Sequence, residues 1–393
     1  MNKVTKIILW GGLLILIACK GNPRTASLAT VKTVETRDSF IEKFSAFFES
    51  GMSSCHCPGA SITIVQDSTV RWMKGFGVRS VLTQVPVDEH TIFRLASVSK
   101  NFASIITQIY VDRNALSWED KVTHYLPEFG LRPTENTELV TIRNIISHTS
   151  GLPYHSYTNL IESGASIASI ISLFKNIQCK MLPGNEYAYQ NASYAMIEPI
   201  LLKATGKSYP ELLHEVLIDS LHMPDINYNF STIHESRNVA LPHRLDPSDS
   251  LYIPTEITDK FYNAISAGGI NASITDMSIW LKLLLGNYPN LISKEKLDTF
   301  FKPIIRTTTD RRYYNYWPGV KDSYYAKGMR ILDYGDHHKY YHAGYANEYR
   351  AEIAIDPRYN LGICILFNST CHLGDDIIPD FFKMNDDWLA GCR

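Results

Sequence analysis

The run Phe93-Arg94-Leu95-Ala96-Ser97-Val98-Ser99-Lys100 leads into an apolar segment that reads as a helix from about Ser97 to Arg113. Residues three apart on a helix share a face, which brings the Lys100 amine beside the Ser97 hydroxyl. Serine is a weak nucleophile at its ordinary pKa. A desolvated lysine with a lowered pKa can take its proton, and a helix N-terminus favours negative charge at that hydroxyl. Taken alone, the spacing better suits a helix cap followed by a solvated lysine, so the surrounding chain has to decide.

Outward from this run, the chain alternates between sheet and helix in blocks. From Asp38 to Phe48 the residues Phe40, Ile41, Phe44, Phe47 and Phe48 recur at three and four, which predicts an amphipathic helix. Ala60–Gln66 and Val70–Phe76 predict two strands joined by a tight turn at Asp67-Ser68. The chain then reads as mainly helical to about residue 335. Strands return where Tyr349, Ala351, Ile353 and Ile355 share one phase. After a turn at Asp356–Asn360, Leu361–Asn368 is the nearly continuous apolar run of a buried strand. A last helix, Asp375–Leu389, carries Pro379 near its first turn, where a missing N–H costs little. These blocks close best as an α/β (α+β) fold. One antiparallel sheet joins the early hairpin to the late strands, the two terminal helices cover one face, and a helical lobe covers the other with a cleft between. The expected boundaries are a sheet lobe over 38–90 and 336–393 and a helical lobe over 91–335.

Two further motifs stand in order behind the first. Tyr189-Gln190-Asn191 follows Pro183-Gly184, and His342-Ala343-Gly344 comes immediately before the late strands. The series Ser-x-x-Lys, Tyr-x-Asn, His-x-Gly resembles the penicillin-recognising serine hydrolases, in particular the class C β-lactamase, D-alanyl-D-alanine carboxypeptidase and family VIII esterase branch. Supporting phrases resemble the same superfamily: Pro58-Gly59-Ala60-Ser61, His148-Thr149-Ser150-Gly151-Leu152-Pro153, and Ala267-Gly268-Gly269-Ile270 followed by Thr275-Asp276. The likeness covers about residues 40 to 385 and implies the β-lactamase/transpeptidase-like fold.

The resemblance also implies roles. Ser97 would attack a carbonyl and form an acyl-enzyme, with Lys100 as its proton partner. Tyr189 would move protons between Ser97 and the leaving group, and Asn191 would hydrogen-bond Lys100 and the substrate amide. The backbone N–H groups of Ser97 and Tyr345 would form the oxyanion hole, and Gly344 would leave room for a substrate along the strand edge. His342 departs from the pattern, because most β-lactamases of this class carry a lysine there to meet a substrate carboxylate. Histidine is mostly neutral at pH 7, so acyl transfer on D-amino-acid peptides or small esters is expected ahead of efficient β-lactam hydrolysis. No metal or cofactor is implied. His148 reads as structural, Asp276 as a helix cap, and Arg311–Trp317 as either a cleft rim or a surface insertion.

The N-terminus and the cysteines bear on location. Lys3 and Lys6 flank an apolar run, Ile7–Ala18, of the length of a secretory signal core. Leu16-Ile17-Ala18-Cys19 resembles a bacterial lipobox, which implies a signal over 1–18, acylation of Cys19, a tether over 19–37 and a hydrolase domain over 38–393. An ordinary cleaved signal is the alternative. The expected location is the bacterial cell envelope on the periplasmic side, held to the membrane through Cys19. Export makes disulfides possible. Cys55-His56-Cys57 is too tightly spaced for a zinc pair, and Cys371 to Cys392 is the preferred bridge across the last helix. With 45% hydrophobic and 20% charged residues among 393, the chain can bury a large core. Its 38 basic against 40 acidic residues include no basic run, so nucleic acid is not an expected partner. The expected partner is a small-molecule or peptidoglycan-like peptide substrate. A non-catalytic envelope-binding protein remains the alternative function.

Overall fold

In a computed structural model of the chain, which describes residues 37–248, 251–307 and 317–392, the first ordered element is helix α1 (Arg37–Ser54). It buries Phe40, Phe44, Phe48 and Met52, one residue per turn on a single stripe. The hairpin β1 (Gly59–Gln66) and β2 (Thr69–Gly77) follows, turning at Asp67 with a φ of 56°. The remaining strands of the main sheet are β3 (Ile305–Arg306), β4 (Asp322–Tyr325), β5 (Arg330–Asp333), β6 (His338–Ala346), β7 (Tyr349–Asp356) and β8 (Leu361–Phe367). They form one eight-stranded sheet in the order β2-β1-β8-β7-β6-β5-β4-β3, with every neighbouring pair antiparallel.

The central strands β7 and β8 are buried at every position. That follows from their being covered on both faces, and it explains a continuous apolar run where a half-exposed sheet would alternate. On the outer face, Ile62, Ile64, Ile363 and Ile365 meet α1 and the C-terminal helix Leu373–Gly391 through Ile377, Ile378, Phe381 and Phe382. On the inner face, Ile353, Ile355, Cys364 and Leu366 join the core of the helical lobe. Helix α2 (Ser99–Asp112) runs through that lobe with almost every residue buried, and Phe102 stacks on Trp280 at 3.8 Å. Helix Ile274–Leu284 is closed at its start by a reciprocal cap between Ser273 and Asp276.

The structure corrects three expectations. The chain is not mainly helical to residue 335, nor does the sheet lobe resume only at 336, because β3, β4 and β5 already belong to the sheet. Each is only two to four residues long, too short to show a period of two. Cys371 and Cys392 are not bridged. The helix Leu373–Gly391 lies between them, and at 1.5 Å per residue it holds them roughly 28 Å apart, far beyond the reach of a disulfide. Trp317 is buried on the outer face, 4.8 Å from the ring of Tyr341, and so is not part of a cleft rim. The rest of the Arg311–Trp317 segment lies outside the described residues, as do the signal, Cys19 and the tether up to residue 36.

Phe44 stands where α1, the C-terminal helix and the sheet converge, 5.0 Å from Phe381 and 6.3 Å from Trp72. Phe44→Ala is expected to destabilise the protein by about 3–5 kcal/mol. In urea titration this appears as a lower midpoint with an unchanged slope.

Candidate active site

Ser97 occupies a single 3-10 turn, Ala96–Val98, between a short strand and α2. That strand, Phe93–Arg94, pairs with Asn271–Ala272, and the Leu95 N–H donates to Ile270 O, so the approach to Ser97 is tied down. Ala96 is fully buried with a φ of 46°. A non-glycine residue held there stores strain of about 1–3 kcal/mol, which the surrounding contacts must offset. The sharp turn places Ser97 at the head of α2.

Lys100, one turn further on, has no exposure at all. Its Nζ lies 3.2 Å from Ser97 Oγ, 2.7 Å from Asn191 Oδ1 and 2.7 Å from Ala267 O. Burial, followed by the nearby Arg330 cation, holds its pKa well below the ordinary lysine value. The three partners suit both protonation states. The ammonium donates to all three; the neutral amine donates to Asn191 and Ala267 and turns its lone pair to the Ser97 hydroxyl. Ala267 belongs to the short helix Ile265–Gly268. The Glu198 carboxylate accepts hydrogen bonds from both the N–H and the hydroxyl of Ser266, at 2.8 and 2.7 Å, which fixes the helix that carries the Ala267 carbonyl.

The Tyr189-Gln190-Asn191 segment is clamped by backbone and histidine contacts. The Ala188 N–H donates to His148 O, the Gln190 N–H to His148 Nδ1, and the His155 N–H to Tyr189 O. Since an amide N–H only donates, His148 Nδ1 is the acceptor and the ring proton sits on Nε2. Burial and then Lys100 hold the His148 pKa well below its ordinary value, which keeps the ring neutral. The ring of Tyr189 lies 4.8 Å from Lys100 Nζ.

Strand β6 forms the opposite wall. Its pairing with β5 ends at Tyr341, and the strand continues past the Ser97 turn to Ala346. His342 is fully buried. Its Nδ1 donates to Ala343 O at 2.8 Å, which leaves Nε2 to accept from the Tyr325 hydroxyl at 3.2 Å, with Arg330 Nη1 at 3.5 Å. Burial, Arg330 and Lys100 depress its pKa well below the usual histidine range, so the ring carries no charge. Gly344 is explained by close approach. A Cβ there would stand 2.1 Å from Leu95 O and 2.8 Å from Ser97 N. The room it leaves is therefore taken by the Ser97 turn and not by a substrate backbone, which corrects the sequence expectation.

These elements enclose a cavity of about 660 Å³, within the usual range for small-ligand sites. Of the predicted residues, Ser97, Tyr189, Asn191 and Tyr345 reach its wall, while Lys100, His342 and Gly344 back it. Tyr154, His155, Thr158 and Glu162 line one side, from the stretch after Leu152-Pro153 that carries no motif. Three contributors were missed by sequence reasoning. Arg330, on β5, lines the cavity and supplies the cation that His342 lacks, yet nothing in Arg330-Ile331-Leu332-Asp333 marks it. Arg94 donates to Thr258 O at 3.0 Å and holds the loop that brings Lys260 and Phe261 to the wall. Ala267 lay within a phrase already noted, but a carbonyl role has no residue-type signal. Among the described residues, no group of three or more His, Cys, Asp and Glu side chains is arranged to hold a metal ion.

A serine hydroxyl beside a buried lysine amine, with a tyrosine and an asparagine on the same wall of a cleft next to an antiparallel sheet, defines a protein of the serine hydrolase superfamily. The chain belongs to the Beta-lactamase family, whose model matches residues 44–378. Among curated proteins it is similar to protein flp of Staphylococcus aureus (strain NCTC 8325 / PS 47), 23% identical over 343 residues, or 86% of this chain and 64% of that one. It is similar also to unguisins hydrolase ungD' of Aspergillus campestris (strain IBT 28561), 24% identical over 348 residues with the same coverages. The chain thus spans 64% of the length of each of these relatives. Its fold matches that of the octameric penicillin-binding protein homologue from Pyrococcus abyssi with a TM-score of 0.75 at 23% identity, covering 88% of this chain and 77% of that one.

Gly344→Ala is expected to push β6 away from the Ser97 turn. Labelling of Ser97 by a fluorophosphonate probe should slow by about 100-fold or more, with far-ultraviolet circular dichroism unchanged. Labelling at the wild-type rate would show that the close approach does not set the position of Ser97.

Proposed function

We propose that the protein is an exported serine hydrolase that cleaves amide or ester substrates through an acyl-enzyme on Ser97. The substrates in view are D-amino-acid peptides, small esters and β-lactams. The observation that carries this reading is the fully buried Lys100 amine, held at 3.2 Å from the Ser97 hydroxyl by Asn191 and Ala267. Burial favours the neutral amine over the ammonium, and the neutral amine accepts the Ser97 proton as the hydroxyl attacks. The N–H groups of Ser97 and Tyr345 receive the oxyanion, Tyr189 passes a proton to the leaving group, and Asn191 orients the scissile amide. Arg330 gives the site a permanent cation beside the neutral His342, so a substrate with a carboxylate on that side of the scissile bond is favoured. No step needs a metal or cofactor. The lipobox-like Leu16-Ile17-Ala18-Cys19 supports anchoring of the protein to a membrane of the bacterial envelope, facing the periplasm.

Intact-mass spectrometry of wild type and Ser97→Ala, after incubation with a penicillin and separately with a p-nitrophenyl ester, tests the reaction. A Ser97-dependent adduct or turnover is expected with at least one of them. Absence of both would favour the non-catalytic binding protein. Since Lys100 must be deprotonated to act, acylation should fall as pH drops through its lowered pKa, with a half-point well below 10.5. Arg330→Ala removes a cation that depresses that pKa, so the half-point should move to higher pH. The same variant should raise KM for a carboxylate-bearing substrate by about 10- to 100-fold, leaving KM for a neutral ester unchanged. For the anchor, radiolabelled palmitate should be incorporated into the full chain in bacterial cells and not into Cys19→Ser; equal incorporation would refute lipidation at Cys19.

A further inference from the structure

Three thiols from opposite ends of the chain meet on the outer face of the sheet, away from the cavity. Cys55 follows the last residue of α1, Cys57 stands just before β1, and Cys371 lies in the connection from β8 to the C-terminal helix. The Cys55 N–H donates to Gly51 O at 3.1 Å and the Cys57 N–H to Met52 O at 2.9 Å, which locks the turn to the end of α1. Between them His56 takes a left-handed φ of 52°, and the sulfurs of both flanking residues come into hydrogen-bonding contact with that of Cys371. Cys57 Sγ also contacts Ser369 Oγ at 3.4 Å and Gly59 O at 3.8 Å, so it is held inside the cluster. All three are thiols in this structure.

The members of the cluster differ in access and charge. Cys57 and Cys371 are buried, at 8% and 5% exposure, whereas Cys55 is half-buried and can be reached from solvent. Hydrogen bonds from Cys371 and then Cys57 hold the Cys55 thiol below its ordinary pKa, whereas contact with Cys55 pushes Cys371 up and contacts with Cys371 and then Cys55 push Cys57 up. The accessible sulfur is therefore the one most readily ionised, with a less acidic thiol in contact behind it. This is the arrangement of an attacking and a resolving cysteine.

We infer that Cys55 and Cys371 form a redox-active pair that closes to a disulfide, clamping the end of α1 to the start of the C-terminal helix, with Cys57 left as a buried thiol. The oxidant is a small-molecule or protein disulfide. The Cys55 thiolate attacks one of its sulfurs, forming a mixed disulfide and releasing one thiolate. Cys371 then loses its proton to the medium and attacks the Cys55 sulfur, expelling the second thiol of the oxidant. In sum, two protein thiols are oxidised to one disulfide and the oxidant is reduced to two thiols. The bond would close nearly the whole folded chain into one loop, the geometry in which a cross-link restricts the unfolded ensemble most. The inference is independent of the reaction proposed at Ser97.

The test uses the full chain, reduced and then equilibrated with oxidised glutathione. In a Cys392→Ser background, which removes the exposed C-terminal thiol, the protein with and without Cys57→Ser is expected to lose two hydrogens across the peptides that carry Cys55 and Cys371. Fragmentation of the cross-linked tryptic peptides should join Cys55 to Cys371, and Tm should rise by several degrees, reversibly with dithiothreitol. Within the cluster, Cys371→Ser should stop at a single glutathione adduct on Cys55, and Cys55→Ser should gain neither adduct nor cross-link at Cys57 or Cys371. A wild-type cross-link joining Cys57 to Cys371 or Cys55 to Cys57 would overturn the assignment. So would three thiols that remain alkylatable after oxidation, a result that needs no variant to fold.

Discussion

An amine removed from water has to find its hydrogen-bond partners within the protein, and the interior around Lys100 is organised by that requirement. Its three acceptors come from three separate pieces of chain: the Ser97 turn, the Tyr189-Gln190-Asn191 segment and the helix Ile265–Gly268. Each piece is secured by further contacts, through Ile270 and Ser99, through His148, and through Glu198. Leaving any acceptor out would strand a buried polar group, at a cost of about 1–3 kcal/mol or more for a charged one. The lysine is therefore a structural centre as well as a chemical one, and its position is over-determined.

The sheet supplies the rigid surface against which that centre is assembled. Because β1, β7 and β8 are sandwiched between α1 with the C-terminal helix on one side and the helical lobe on the other, β6 has little freedom to move. Its glycine lets the strand approach the Ser97 turn until backbone nearly touches backbone. Neutral His342 then acts as a buried wedge, its orientation fixed by one donated and one accepted hydrogen bond.

Much of this was legible in the sequence because the relevant signals were local. The phenylalanine stripe of α1, the hairpin at Asp67 and the apolar run of β8 each carry a period or a length that burial imposes. Ser97, Tyr189 and Asn191 stood in recognisable motifs and do converge with Lys100. What escaped was of two kinds. Strands β3 to β5 are too short to hold a pattern, and they exist because a neighbouring edge recruits them. Arg330 and the Ala267 carbonyl contribute through their place in space, which no spacing along the chain encodes. The meeting of Cys371 with Cys55 and Cys57 escaped for the same reason: helical rise rules out the nearer partner in sequence, and only the fold reveals the distant pair.

Arg330 stands close enough to Lys100 to lower its affinity for a proton. With Arg330 nearby, Lys100 is held as a weak base that gives up its proton easily. An anion docked on Arg330 cancels that repulsion and strengthens the base at the moment the serine must be deprotonated. By reciprocity, a proton on Lys100 makes the same anion bind more tightly. Occupancy of one wall and proton affinity behind the other are thus thermodynamically linked, so the site's basicity is a property of the complex more than of the empty protein.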